Sequence, residues 1–129
     1  MQRKRIVIDA DINWRLAREL QRRARTDATA LRDIGLDELK DGAVLKALAA
    51  DYEPCVFVTW DNKMPKAHAE ELRHHRSTLA VVNRAGLGSW VGTEDSYIRD
   101  VIHRWVHRME LQEGPSVALY SSNAGPRWA

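Results

Sequence analysis

The chain has 129 residues, 44% of them hydrophobic, and its 20 basic and 18 acidic side chains leave a net charge of +2. That length supports one domain with a single core and leaves no room for two ordinary ones. No apolar run is long enough to span a bilayer, and the single cysteine, Cys55, excludes an internal disulfide framework and a cysteine-based zinc site.

The first element is the short run Ile6-Val7-Ile8, β-branched and without polar alternation, which suits a strand buried on both faces of a parallel sheet. Met1 leads into it with no sign of a leader, so a cytoplasmic protein is expected. The run ends in Asp9, with Asp11 two residues later. A carboxylate at such a strand end belongs to the rim where open α/β sheets bind ligands, not to the core.

A helix is expected over 13–25, with Ile12, Leu16, Ala17, Leu20 and Ala24 on one face, arginines on the other and Asn13 as its N-cap. A strand near 28–31 and a turn at Gly35 follow, then a helix over 41–50 burying Val44, Leu45 and Leu48. Pro54 ends that helix. Cys55–Thr59 is the clearest later strand, with Cys55 a reduced core residue, and it runs into Trp60-Asp61-Asn62-Lys63. Beyond it we expect a short helix over 67–75, a strand at Thr78–Val82, and a glycine-containing loop over 83–92. A last helix over 93–111 is capped by Thr93, its inward stripe Tyr97, Val101, Ile102, Trp105 and Met109. An edge strand over 116–121 closes the domain, assigned to 1–121, and 122–129 reads as a loose tail. Alternating strands and helices imply βαβ units and an α/β fold: a mainly parallel sheet of four to five strands with helices on both faces.

In a parallel sheet all strands end at one edge, so three strand–helix turns deliver Asp9, Asp11, Asp41 and Asp61 to a single crevice. Carboxylates gathered there repel one another and raise their own pKa values unless a cation is present. Oxygen ligands suit Mg²⁺ or Mn²⁺, and such a site supports metal-assisted hydrolysis of a phosphate ester. Basic groups over 3–25, 66–76 and 99–108 surround the acids, the pattern of a metal site inside a polyanion-binding surface.

The segments RIVIDADIN, RDIGL, DGAVLKALA and VFVTWDNKM together resemble the PIN-domain family, in particular compact PIN-like proteins related to toxins of bacterial toxin–antitoxin modules. The resemblance covers residues 4 to 83. It implies a Mg²⁺- or Mn²⁺-dependent endoribonuclease acting on RNA, a homodimer, and in many members a cognate antitoxin. The family's first-strand Asp falls on Asp9, its helix-heading acid on Asp41, and its T-x-D motif on Thr59 and Asp61. Catalysis is thereby assigned to Asp9, Asp41 and Asp61, metal binding to these and Asp11, and substrate contact to Thr59, Lys63 and Arg15. Related proteins often carry a further acid where Lys63 stands, and the substitution puts the activity, more than the fold, in question.

Each residue also has an ordinary reading: Asp9 and Asp11 as turn residues, Asp41 as an N-cap, Thr59 as a β-former, Lys63 and Arg15 as solvated bases. His103 and His107 stand four apart on one helix, a spacing that binds zinc, but without a third ligand nearby they read as a solvated face. Two other functional readings remain open. One is a degenerate PIN-like domain that binds RNA or protein without catalysis. The other is a phosphohydrolase of the haloacid-dehalogenase type, with Asp9 as nucleophile and Asp11 as acid and base.

Overall fold

The computed structural model describes residues 2–129; the expectation attached to Met1 lies outside the described residues. Six strands form one sheet: β1 (Arg5–Ile8), β2 (Ala28–Ala30), β3 (Cys55–Thr59), β4 (Thr78–Val82), β5 (Ser116–Tyr120) and β6 (Arg127–Trp128), in the order β2-β1-β3-β4-β5-β6. The first five are parallel and β6 is antiparallel to β5. Between them lie α1 (Arg15–Glu19), α2 (Asp41–Asp51), α3 (Met64–Ala67), α4 (Ala69–His74) and α5 (Glu94–Met109). None of the described helices is long and apolar enough to cross a membrane.

The unbroken apolar strands work because a pleated strand turns alternate side chains to opposite faces. Ile6, Ile8, Val56, Val58, Ala80 and Val82 pack with Leu16 and Leu20 and with Val101, Ile102, Val106 and Met109 of α5. Val7, Phe57, Leu79 and Val81 face the other way, onto Val44, Leu45 and Leu48 of α2, Met64 of α3 and Leu72 of α4. Each face has its own core, and Cys55 is buried and unpaired in the second. The α/β class, the mainly parallel sheet and the helices on both faces are as the sequence reads.

Four details differ. The first helix is α-helical only to Glu19; Leu20–Ala24 continues as a π-helical turn that ends at Arg25, in the left-handed region with φ 52°. Asn13, read as the N-cap, lies one residue before that position, which Trp14 takes, and the Asn13 side-chain oxygen accepts from the Arg15 amide at 3.0 Å. The helix expected over 67–75 begins earlier, at Met64, with Pro65 in the first turn, where a missing N–H costs no bond. It is then interrupted at His68, which has φ −122° and ψ 31°. Trp105, read as part of the inward stripe, is only half-buried: its indole N–H donates to the Ser121 carbonyl at 2.7 Å and its ring lies against Tyr120, while Val106 takes the inward position. Finally, the sheet has six strands and not four or five, because the segment read as a loose tail returns to it. Ser121 turns the chain, its amide donating to the Ala124 carbonyl at 2.7 Å, and Leu119 and Ala118 then pair with Arg127 and Trp128. A two-residue strand carries no periodicity, so its pairing is a tertiary fact.

Candidate active site

The register of β1 and β3 builds the site. Ile8 pairs with Val58, and the ladder runs one step further, the Asp9 amide donating to the Val58 carbonyl at 2.9 Å. Asp9 and Thr59 therefore leave neighbouring strands side by side. The fully buried Thr59 hydroxyl donates to Asp9 Oδ2 at 2.7 Å and stands 3.4 Å from Asp11 Oδ2. The same oxygen accepts from the Asp61 amide at 3.0 Å. One hydroxyl thus ties three of the four acids together. Asp9 Oδ1 takes the Ala10 amide at 2.7 Å, Asp11 Oδ1 the Trp60 amide at 3.3 Å, and Asp61 Oδ1 the Lys63 amide at 2.9 Å.

Asp41 comes from the other core layer. It is the first residue of α2, and the preceding Lys40 makes no side-chain cap. A negative charge there is favoured by the helix dipole. Its carboxylate lies 3.6 Å from His68 Nε2, whose other ring nitrogen is 3.7 Å from Glu71. His68 Nδ1 is buried without a hydrogen-bond partner among the described residues.

Asp9 is buried, and this desolvation, followed by the charge of Asp11, pushes its carboxyl up to about 7 against the opposing hydrogen bonds from Thr59 and Ala10. The charge of Asp41 adds a smaller push. Asp11 is open to solvent on one side, yet its carboxyl is raised too, first by partial desolvation and then by Asp61 and Asp41, with the Trp60 and Thr59 bonds acting against this. The charges of Asp11 and Asp41 thus bear on Asp9, and those of Asp61 and Asp41 on Asp11. As placed, no three Asp, Glu, His or Cys side chains among the described residues are gathered closely enough to enclose a cation. The donor set fits instead a hard ion that keeps several waters and takes one or two carboxylates, as Mg²⁺ does: Asp9 and Asp11 flank the same hydroxyl.

The three proposed substrate contacts sit differently. Thr59 is sealed inside and holds the acids instead of facing a ligand. Lys63 is exposed, in the turn after β3, and Arg15 is exposed on α1 with its guanidinium 5.0 Å from the Trp14 ring. Sequence reasoning missed His68, because its approach to Asp41 joins elements with no local pattern between them. It also missed the support beneath Trp60: the indole N–H donates to Glu94 at 3.0 Å, Arg84 lies 4.2 Å from the ring, and the Asn62 amide group bridges the Trp60 and Val82 carbonyls. An Asn three residues after a strand end, a common turn-maker, was the one readable sign of that bridge.

Comparison of the chain with known proteins finds no matching family model, no matching curated protein and no matching solved structure. The arrangement itself defines a class no narrower than an α/β domain with an acidic strand-end site.

Proposed function

We propose that this protein is a Mg²⁺- or Mn²⁺-dependent endoribonuclease whose active site is the rim formed by Asp9, Asp11, Asp41 and Asp61. The observation that carries the reading is the Asp9–Thr59–Asp11 arrangement, in which a buried carboxylate is kept beside a second acid by one fully committed hydroxyl. Such crowding is costly in an empty site and is offset when a divalent cation is present. Asp9 and Asp11 would hold the ion, with Asp41 and Asp61 contributing charge and orienting its waters. When bound, the ion supplies an activated water and neutralises charge on the phosphate. Thr59 positions Asp9 and Asp61, and Lys63 and Arg15 offer cations to the substrate's phosphates. A role for Asp9 as a phosphohydrolase nucleophile has less support, since β4 is followed by Asn83 and Arg84 and not by the paired acids that such a site would need there.

The test is cleavage of a mixed, structured RNA with Mg²⁺ or Mn²⁺ by the native protein, Asp9→Asn and Asp61→Asn, beside a measurement of Mn²⁺ binding by the same three proteins. Metal-dependent cleavage lost in both variants, with weakened Mn²⁺ binding in Asp9→Asn, supports the reading. Folded native protein that cleaves nothing refutes it and leaves a non-catalytic binding domain.

A further inference from the structure

Next to the acid rim, three positive charges converge on one aromatic ring. Trp14 lies between the β1 strand end and α1, half-buried against the core. The guanidinium of Arg32 is 4.3 Å from its ring centroid, that of Arg15 5.0 Å and that of Arg18 5.2 Å. Arg15 and Arg18 share a helix face by their three-residue spacing. Arg32 arrives from the turn after β2, whose last residue, Ala30, pairs with Ile8. The cluster and Asp9 therefore leave the same edge of adjacent strands.

Among the described residues most arginines lack a carboxylate partner; what sets this group apart is that three such guanidinium groups meet on one ring. Arg5, Arg23, Arg99 and Arg104 all have carboxylate partners; among the described residues, Arg15, Arg18 and Arg32 have none. An indole face attracts and orients guanidinium groups, but it does not neutralise three of them. Like charges held together without an acid are satisfied by an external anion, and guanidinium groups suit phosphate oxygens. Flat guanidinium and indole surfaces also stack on bases, which are available only in an unpaired strand. Trp60, the other tryptophan of the rim, is unsuited to this because it is buried beneath Arg84 and bonded to Glu94.

We propose that Trp14, Arg15, Arg18 and Arg32 form a binding site for the phosphate backbone of a single-stranded nucleic acid, directing the strand to the neighbouring acids. This deepens the nuclease reading by giving its substrate a docking site, and binding can be tested without cleavage.

The experiment measures binding of a fluorescent twelve-nucleotide single strand, as ribose and as deoxyribose versions, to the full chain in excess chelator across a salt series. The variants are Arg18→Gln with Arg32→Gln, Asp9→Asn, and Arg104→Gln as a distant control. The double arginine variant should bind at least tenfold more weakly, with the salt slope reduced by about 0.7 for each lost phosphate contact. Arg104→Gln should bind as the native chain does, and Asp9→Asn, which removes a rim charge that repels phosphate, should bind more tightly. Both arginines are exposed, and an unchanged unfolding midpoint confirms that the fold persists. Preference for the ribose strand would assign RNA, and equal binding a backbone common to both; each supports the site. Equal affinity of the double variant and the native chain overturns it, as does tighter binding of a duplex. A polyglutamate peptide of matched charge that binds as tightly would overturn it in favour of an acidic protein partner. Retained binding with no cleavage under any metal would leave the docking site standing while the nuclease reading falls.

Discussion

In one half of the sheet β1 and β3 run out into acids, while in the other half β4 and β5 run out into Asn83 and Ser121. The second half is closed by neutral, paired groups. The Tyr97 hydroxyl donates to the Asn83 carbonyl at 2.6 Å and accepts from the Gly86 amide at 3.3 Å, Asn83 Oδ1 takes the Ala85 amide at 2.8 Å, and Ser121 Oγ takes the Ala124 amide at 3.1 Å. In the first half, hydrogen bonds position the carboxylates without cancelling their charge, and Asp9 is left with its carboxyl raised to about 7. The same architectural position is thus finished as structure on one side and left electrostatically unfinished on the other. Strongly perturbed groups of that kind mark functional sites more often than structural ones.

The comparison is broken most directly at Asp9. Asp9→Asn should lower metal-dependent cleavage at least ~100-fold, beyond the 10–100-fold that outer-shell partners of a metal site command, as measured by initial rates on a single-stranded RNA. The same substitution should raise stability near pH 8, because it removes a buried charge while leaving oxygen and nitrogen available to Ala10 and Thr59.

The pH dependence sharpens the contrast. The folded pKa of Asp9 is raised from 3.8 to about 7, so between these values the folded chain holds a proton that the unfolded chain has released. Its contribution to stability is therefore full below the lower value and is lost as pH rises through the window. The loss is on the order of 1.4 kcal/mol for each unit of the shift. Denaturant unfolding in chelator should show this decline, Asp9→Asn should remove it, and saturating Mg²⁺ should flatten it by favouring the charged form.

Thr59→Val should come next in size. It strips a partner from buried Asp9 and from the Asp61 amide, a cost of about 1–3 kcal/mol, whereas Thr59→Ser should recover most of both stability and cleavage. The smallest effect belongs to the neutral half. Tyr97→Phe should destabilise by about 1 kcal/mol, measured by thermal unfolding, and leave Mn²⁺ binding unchanged.

Much of this was readable from the sequence because it is written locally. The Ile6–Ile8 and Cys55–Thr59 runs locate two strand ends, and parallel pairing brings Asp9, Thr59 and Asp61 to the same edge. Asp41 was readable as the head of a helix, but its ordinary role as an N-cap was not the one found. What stayed hidden depends on chain segments meeting at a distance. His68 reaches Asp41 across a helix interruption, Arg32 reaches Trp14 from another strand turn, and β6 exists only because Ser121 folds the chain back. The burial of Thr59 was likewise beyond a pattern that told only that it ended a strand.

β6 also bears on how copies of the chain can meet. An outer strand with free amides and carbonyls invites another chain to extend the sheet. Here β6 occupies that side of β5 with just two residues, one of them Arg127, and the opposite border, β2, has only three. Both borders are too short to template a long continuous ladder between molecules. Self-association, where it occurs, is thereby directed toward side-chain surfaces of the helical layers, and growth into fibres by strand addition is discouraged at both ends of the sheet.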